Sequence, residues 1–382
     1  MPRPSARRLL HVTTVPAALR AFMTPTARRL RADGWRVEGA ASGAPGADLD
    51  TDYDALWDVP WSRNPAALVN LTRALPRMRR LLREESYDLV HVMTPVAGFV
   101  TRLAVASLPR SARPAVVYAA HGFHFYQGGP RVSNALYRAL ERAAAPWTDA
   151  LCVLNDEDHA AAVDLGLATP DRIVRLHGPG IDLERFSSTT VPDEDVQRVR
   201  DGLGLGPGDV LFTQVAEFTP RKRHADLLRA LTLVPGAHLA VPGDGPLRQD
   251  TEALARDLGI EDRVHFLGFR RDVPALLRAS QAAVLVSEQE GLPTCVIEAL
   301  ALRVPVVGTD IRGTRDLLGQ GGGWLVPLGD VEAIAGALRA AAAGAEQPPA
   351  PNMEPYGTEA VGQAYERAYR LALDARGAAP TL

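Results

Sequence analysis

The sequence predicts an α/β protein of two doubly wound, Rossmann-like domains. Three observations point there. The chain has 382 residues, and at roughly 100–200 residues per domain that length favours two domains. Its strand candidates are short, nearly continuous apolar runs, the pattern of parallel strands buried on both faces. These strands alternate with longer helical patterns from end to end. Hydrophobic residues make up 46% of the chain, enough to fill two cores.

In the first half the strand candidates are residues 8–13, 35–40, 87–93, 115–120 and 149–154. Helical spacing fills residues 17–32, 66–85, 96–107 and 131–145 between them. The second half repeats the plan, with strands at 209–216, 237–241, 263–267, 282–286, 304–308 and 323–326. Its helices are expected at 223–233, 246–258, 273–279, 294–302, 314–318 and 331–343. The polar run Ser187–Pro192, followed by the glycines of 202–208, has linker composition. A second soft segment, 346–355, precedes a strong helix over 358–375, with Val361, Tyr365, Ala368, Tyr369 and Ala372 at helical spacing. The expected division is therefore 1–185, 186–355 and a closing segment, 356–382, that crosses back to brace the first domain.

The net charge is −3 with charges of both signs mixed, which does not resemble the basic footprint of a nucleic-acid binder. Cys152 and Cys295 lie far apart in apolar patterns, which fits a reducing compartment. No Cys/His spacing matches a zinc site. The basic N-terminus (Arg3, Arg7, Arg8) precedes an apolar stretch broken at His11, Thr13 and Thr14, too short for a signal-peptide core. No run of about 18 apolar residues occurs. The expected location is the cytoplasm, and the usage of Ala, Arg, Gly and Pro is that of a GC-rich bacterial gene. Oligomeric state is not legible.

The sharpest chemical signal is the stretch from Glu288 to Glu298, in which Glu290-Gly291-Leu292-Pro293-Thr294 follows a strand and Glu298 lies on the next helix. Proline suits a first helical turn, and free N–H groups there suit oxyanions or hydroxyls. Both glutamates sit at a strand's C-terminal edge, where open α/β sheets bind ligands. A second signal, Ala216–His224, contains Arg221, Lys222 and Arg223 at a helix start, where cations oppose the macrodipole. A bound diphosphate would resolve that conflict. A third is the turn Gly243-Asp-Gly-Pro, with Gly268-Phe269-Arg270 after the next strand. In the first half, His121-Gly-Phe-His124-Phe-Tyr126 ends a strand with two histidines and three aromatics around glycines. Asp88–Gly98, with Thr94, and His177–Asp182 mark further strand ends.

The Glu-x7-Glu segment resembles the donor-binding signature of the retaining GT-B glycosyltransferases of the GT4 type. The resemblance implies two Rossmann-like domains facing across a cleft, an NDP-sugar cosubstrate (a UDP-sugar foremost), a hydroxyl acceptor and no other cofactor. It implies that Glu290 contacts the donor sugar, that Gly291, Leu292, Pro293 and Thr294 cradle it, and that Glu298 hydrogen-bonds the ribose. Lys222 matches the family's diphosphate lysine. Where the family carries an arginine before that turn this chain has Glu217, and the role passes to neighbouring Arg221. Gly243 falls near the nucleotide, while Gly268, Phe269 and Arg270 match the backbone that holds the base. His121 matches a histidine that reaches the donor sugar or its phosphate. His124, Tyr126, Thr14 and Thr94 are assigned to the acceptor. The extended string around His121 looks like the subgroup of polysaccharide-assembly transferases using N-acetylhexosamines or hexoses. Many relatives carry Gly-Gly after the first strand; here Thr13-Thr14-Val15-Pro16 stands instead, and no G-x-G-x-x-G follows that strand either.

The implied reaction retains the anomeric configuration. Lys222 and Arg221 take the charge of the leaving diphosphate in place of a metal, and no Asp-x-Asp motif is assigned to hold one. The acceptor is a glycan, a lipid-linked sugar or a small metabolite. A sugar-nucleotide epimerase on the same fold, or a non-catalytic nucleotide-sugar binder, are the rival readings. Over residues 68–83 arginines interleave with leucines. This pattern suits a helix packed on its own sheet, or one lying on the inner face of a membrane.

Overall fold

A computed structural model describes residues 6–377 of the protein. It divides into two compact units, one running to Gly180 and resuming at Thr358, the other spanning Ile181–Gly357. The seams thus fall slightly off the expected 185/186 and 355/356.

The first unit holds a seven-stranded, all-parallel sheet in the order β3-β2-β1-β4-β5-β6-β7. Its strands are β1 (Arg8–Val12), β2 (Arg36–Ala41), β3 (Ala55–Asp58), β4 (Leu89–Val92), β5 (Ala115–Ala120), β6 (Ala150–Val153) and β7 (Ile173–Arg175). The second unit holds a six-stranded parallel sheet in the order β10-β9-β8-β11-β12-β13. Those strands are β8 (Val210–Thr213), β9 (Ala237–Pro242), β10 (Val264–Gly268), β11 (Ala282–Leu285), β12 (Val306–Thr309) and β13 (Gly323–Val326). Both sheets reverse their winding once, at β1/β4 and at β8/β11, the switch points where such folds open a crevice beyond the strand ends.

Two strands, β3 and β7, escape the sequence pattern. Both are short edge strands; β3 is only half-buried, so it lacks the continuous apolar run of a central strand. Two helices also escape it, Asp156–Asp164 and Asp193–Gly202. The second lies inside the expected linker, and Phe186 and Val191 beside it are buried. That stretch is therefore packed structure of the second unit. The acids Asp193, Glu194 and Asp195 in its first turn favour a helix start through the macrodipole.

The helices expected over 17–32 and 66–85 are interrupted. Leu19–Met23 and Asn70–Ala74 are π-helical, and each runs into a helix with proline at its second position, Thr24–Ala32 and Leu75–Glu85. Proline lacks an N–H and its ring crowds the carbonyl four residues back. The wider turn, in which the Thr24 N–H bonds the Leu19 carbonyl and the Leu75 N–H that of Asn70, accommodates it.

The final helix, Thr358–Ala375, buries Val361, Tyr365, Ala368, Tyr369 and Ala372 against strands β4 to β7 of the first sheet. Arg29 bonds Glu359 and Glu366, and Arg376 bonds Asp149, fixing the helix at both ends. Chain topology thus returns the last residues to the first unit.

Candidate active site

At the β8/β11 switch point of the second unit the loops after both strands frame a cavity of about 550 Å³. Arg221, Lys222, Gly243, Phe269, Arg270, Pro293, Thr294 and Glu298 all line it. A larger cavity, about 630 Å³, lies under the Pro348–Met353 segment beside Val304 and Pro305, which lead into β12. That is the opposite end of the strands from the switch-point loops, and it gathers one arginine and no acid.

The loop Ala216–Arg223 differs from the expected helix start. Pro220–Lys222 is a 3-10 turn, and the helix begins at His224. Arg223, at φ +51°, pairs with Asp226 in the helix's first turn, so one of the three cations is balanced locally. Lys222 Nζ lies 2.5 Å from Glu290 Oε1, and both side chains are largely buried. Arg221 is exposed on the cavity wall with no ion pair among the described residues. Its carbonyl accepts the Glu288 N–H at 3.0 Å, tying the two switch-point loops together. His224 stacks on Phe218 at 4.4 Å. Burial, and then the Lys222 charge, hold its imidazole down at about 4, so it stays neutral.

Gly243 (φ +149°) and Gly245 (φ +155°) lie directly against this loop: a Cβ on Gly243 would sit 2.0 Å from the Ala216 carbonyl oxygen. The Gly243 N–H donates to the Gly268 carbonyl at 2.8 Å, placing Gly268 behind the cavity wall. Phe269 presents its ring to solvent at the rim, 83% exposed. The Arg270 guanidinium is bound to Asp272.

Across the crevice the helix Thr294–Ala301 starts where its periodicity predicts, with Pro293 as its cap, and ends one residue earlier than the expected 302. Its first N–H groups have no intrahelical acceptor. Glu298 projects from this helix to the cavity; burial pushes its carboxyl up to about 7, and Arg185 pulls the other way. Cys295 is pushed up to about 12 by burial, so its thiol is inert at neutral pH. Glu290, Gly291 and Leu292 stand one layer back from the wall. Here sequence reading missed a contributor. Arg312, buried after β12, donates from Nε to the Glu290 carbonyl at 3.3 Å. Gly313 (φ +76°) packs so closely that a Cβ would lie 2.2 Å from the Gly291 oxygen. The Arg-Gly pair at a strand end was the available signal. Arg185, Phe186 and Glu217 also line the cavity without having been assigned.

In the first unit the β1/β4 switch point carries hydroxyls. Thr14 Oγ1 and Thr94 Oγ1 lie 2.6 Å apart. His121 sits at the end of β5, its Nε2 3.3 Å from the Tyr365 hydroxyl and its ring 5.0 Å from Phe22. Burial lowers it to about 4. His124 is exposed and rests on Tyr137, whereas the Tyr126 backbone is held by both polar ends of Asn134. Beneath them His91 Nδ1 meets the Tyr369 hydroxyl at 2.7 Å, and His11 Nε2 lies 3.4 Å from that hydroxyl. The Asp-x-Asp spacing does occur, from Asp48 to Asp54, at Asp156/Asp158 and at Asp193/Asp195, but Asp48, Asp52, Asp54, Asp156, Asp193 and Asp195 face Arg20, Arg28, Arg31, Arg175, Arg278 and Arg198. The helix Leu75–Glu85 buries Met78, Leu81 and Leu82, so its apolar face is occupied by the first core.

Residues 22–185 match the model described as Glycosyltransferase Family 4, and residues 195–357 match Glycosyl transferases group 1. EpsD of Bacillus subtilis (strain 168), described as a glycosyltransferase, is 32% identical over 335 residues, covering 86% of each chain.

The chain belongs to the family 4 glycosyltransferases.

The transferase is also 28% identical to the UDP-Gal:alpha-D-GlcNAc-diphosphoundecaprenol alpha-1,3-galactosyltransferase of Escherichia coli, over 76% of this chain and 75% of that one. Anabaena Alr3699/HepE, solved with UDP and glucose, shares its fold at TM-score 0.73 and 18% identity, over 95% of this chain and 99% of that one. The transferase has the GT-B fold. Among its described residues no helix is long and apolar enough to cross a membrane.

Proposed function

We propose that the transferase uses a UDP-sugar and transfers its hexosyl or N-acetylhexosaminyl group with retention, without a metal or other cofactor. One observation carries this reading: unpaired Arg221 and largely buried Lys222, the partner of Glu290, stand on the cavity wall at the switch point, opposite a helix start and Glu298. Cations and free N–H groups converging on one crevice suit a diphosphate. Glu298 accepts from ribose hydroxyls, and the base lies along Gly268, Phe269 and Arg270. UDP in the names of the galactosyltransferase and of the HepE structure supports the choice of nucleotide.

On donor binding the diphosphate takes Glu290's place as the partner of Lys222. Glu290, still held by Arg312 and Gly313 through its backbone neighbours, then accepts from the sugar's hydroxyls, with Gly291–Thr294 beside the ring. The bond from the anomeric carbon to the diphosphate breaks as the acceptor oxygen bonds the same face of that carbon. The acceptor's proton passes to the departing phosphate oxygen, whose charge Arg221 and Lys222 stabilise. His121, neutral at physiological pH, serves the transferring sugar as a hydrogen-bonding group. Thr14, Thr94, His124 and Tyr126 serve the acceptor, a glycan or lipid-linked sugar being favoured by the galactosyltransferase's acceptor. The protein acts at the cytoplasmic face.

The test is a thermal-shift panel of UDP, dTDP, GDP and ADP in metal-free buffer, on wild type and Lys222→Ala. A ligand bound only by the native state raises the midpoint. A shift with UDP, lost in the variant, is the expected result. No shift with any diphosphate would overturn the assignment of the cavity.

A further inference from the structure

The net charge of −3 conceals an uneven distribution. Residues 59–140 carry eleven arginines against three acids, Glu84, Glu85 and Asp88. Within that basic stretch the first unit exposes a cluster of large aliphatic side chains. Leu68 is 75% exposed, Leu71 51%, Val132 84% and Leu136 53%. Leu68 precedes the π-helical turn that carries Leu71, and Val132 and Leu136 lie on the helix Arg131–Ala144; Leu71 and, from that helix, Tyr137 and Leu140 line one cavity of about 200 Å³. Phe99 and Val96 form the wall between them, so the cavity is mostly apolar. Burying this patch would be favourable, and leaving it in water is unusual for a lone soluble surface.

What covers it is indicated by charge. Arg73, Arg131 and Arg138 are exposed in these two elements and Arg63 in the loop before the first, none with a carboxylate within 4 Å among the described residues; the Arg138 guanidinium lies over the Phe125 ring at 5.3 Å. Glu141, the acid nearest the patch on its helix, is buried and bound to Arg102. Exposed aliphatic side chains beside long arginines that have no carboxylate partner match the interface of an anionic bilayer: the leucines and valine enter the acyl boundary, and the guanidinium groups reach lipid phosphates. The helix Leu75–Glu85, whose apolar side faces the core, is not the element that docks.

We infer that the surface formed by Leu68, Leu71, Val132 and Leu136, with Arg63, Arg73, Arg131 and Arg138 around it, docks the first unit onto an anionic phospholipid bilayer. The loop His121–Pro130 leads straight into the docking helix, and the His124 ring rests on that helix's Tyr137 at 5.1 Å. Docking therefore sets the loop proposed for the acceptor next to the lipid surface. The docking itself does not depend on the donor reading.

Vesicle co-sedimentation tests it, with phosphatidylcholine alone and an equal mixture of phosphatidylcholine and phosphatidylglycerol. Wild type should partition at least about tenfold more strongly onto the mixed vesicles, and less as salt rises. The quadruple variant Leu68→Ser, Leu71→Ser, Val132→Ser, Leu136→Ser should lose about tenfold, as should Arg131→Glu with Arg138→Glu. All six positions are exposed, so melting temperatures and UDP shifts should match wild type. Failure of wild type to bind mixed vesicles, equal binding to neutral ones, or undiminished binding by both variants would overturn the proposal. So would a concentration-dependent dimer, abolished by the serine variant, in a protein that ignores vesicles; the face would then join two copies.

Discussion

The two switch points occupy the same place in sheets of the same winding, yet they are furnished differently. At β8/β11 an ion pair, Lys222–Glu290, stands beside a free Arg221 and a half-buried acid, Glu298. At β1/β4 the corresponding contact is between two hydroxyls, Thr14 and Thr94, over imidazoles that burial keeps neutral. The same topology therefore supplies one charged crevice and one uncharged one. A crevice with an unpaired positive charge fits a polyanion. A crevice of hydroxyls and neutral imidazoles fits a sugar, which offers hydroxyls that both donate and accept. Topology fixes where a ligand goes, and the residues at the strand ends fix its charge.

The comparison breaks most readily at Lys222. Lys222→Ala should lower kcat/KM for donor turnover by about 10²–10³, the usual cost of removing one preorganised charge stabiliser, and should leave the protein folded. If steady-state assays show less than tenfold loss, the charged crevice is not where the leaving group sits. Next in size is Gly243→Ala. A Cβ 2.0 Å from the Ala216 oxygen at φ +149° should destabilise the second unit by about 1–3 kcal/mol. Denaturant unfolding should register that loss, with UDP binding weakened alongside.

A smaller effect sharpens the charge assignment. Glu298 has its carboxyl raised to about 7 by burial, above the ordinary value near 4.3. Between those values the folded state holds more protons than the unfolded one, so stability falls as pH rises and levels off above about 7. The free protein's midpoint should decline over that window and Glu298→Gln should flatten the decline. The UDP shift of wild type should grow as the carboxylate forms, because an ionised acceptor holds ribose hydroxyls more strongly. Smallest is Thr14→Val. Loss of the 2.6 Å hydroxyl contact with Thr94 should cost about 1 kcal/mol. Acceptor KM should rise a few fold, with the UDP shift unchanged.

The doubly wound class was legible because central strands such as Ala115–Ala120 are apolar on both faces, a constraint that shows in every residue. The edge strands β3 and β7 were not, since an edge needs little apolar density. Glu290, Lys222 and Glu298 were legible as residues of a strand-end motif. Their actual relation was not: Glu298 lines the cavity while Glu290 stands behind it, bonded to Lys222. Arg312 was invisible for the same reason, because it acts on Glu290 from the loop after the neighbouring strand, β12. The mixed overall charge hid the arginine-rich surface around Val132, since a sum over the chain carries no positions.

By itself, then, the sequence determined the element types, the two-domain plan and the strand ends where chemistry gathers. Those follow from local periodicity, proline and glycine placement, and short motifs, all of which act within a few residues. Only the tertiary structure decided which charges are partnered and which stand free. It likewise decided that Thr14 meets Thr94, that Tyr365 and Tyr369 of the final helix seal the histidines of the first sheet, and that Leu71 and Tyr137 share one cavity. These pairings join residues far apart in the chain. Burial and partnership, which set proton affinity and solvent access, exist only once the sheets have assembled.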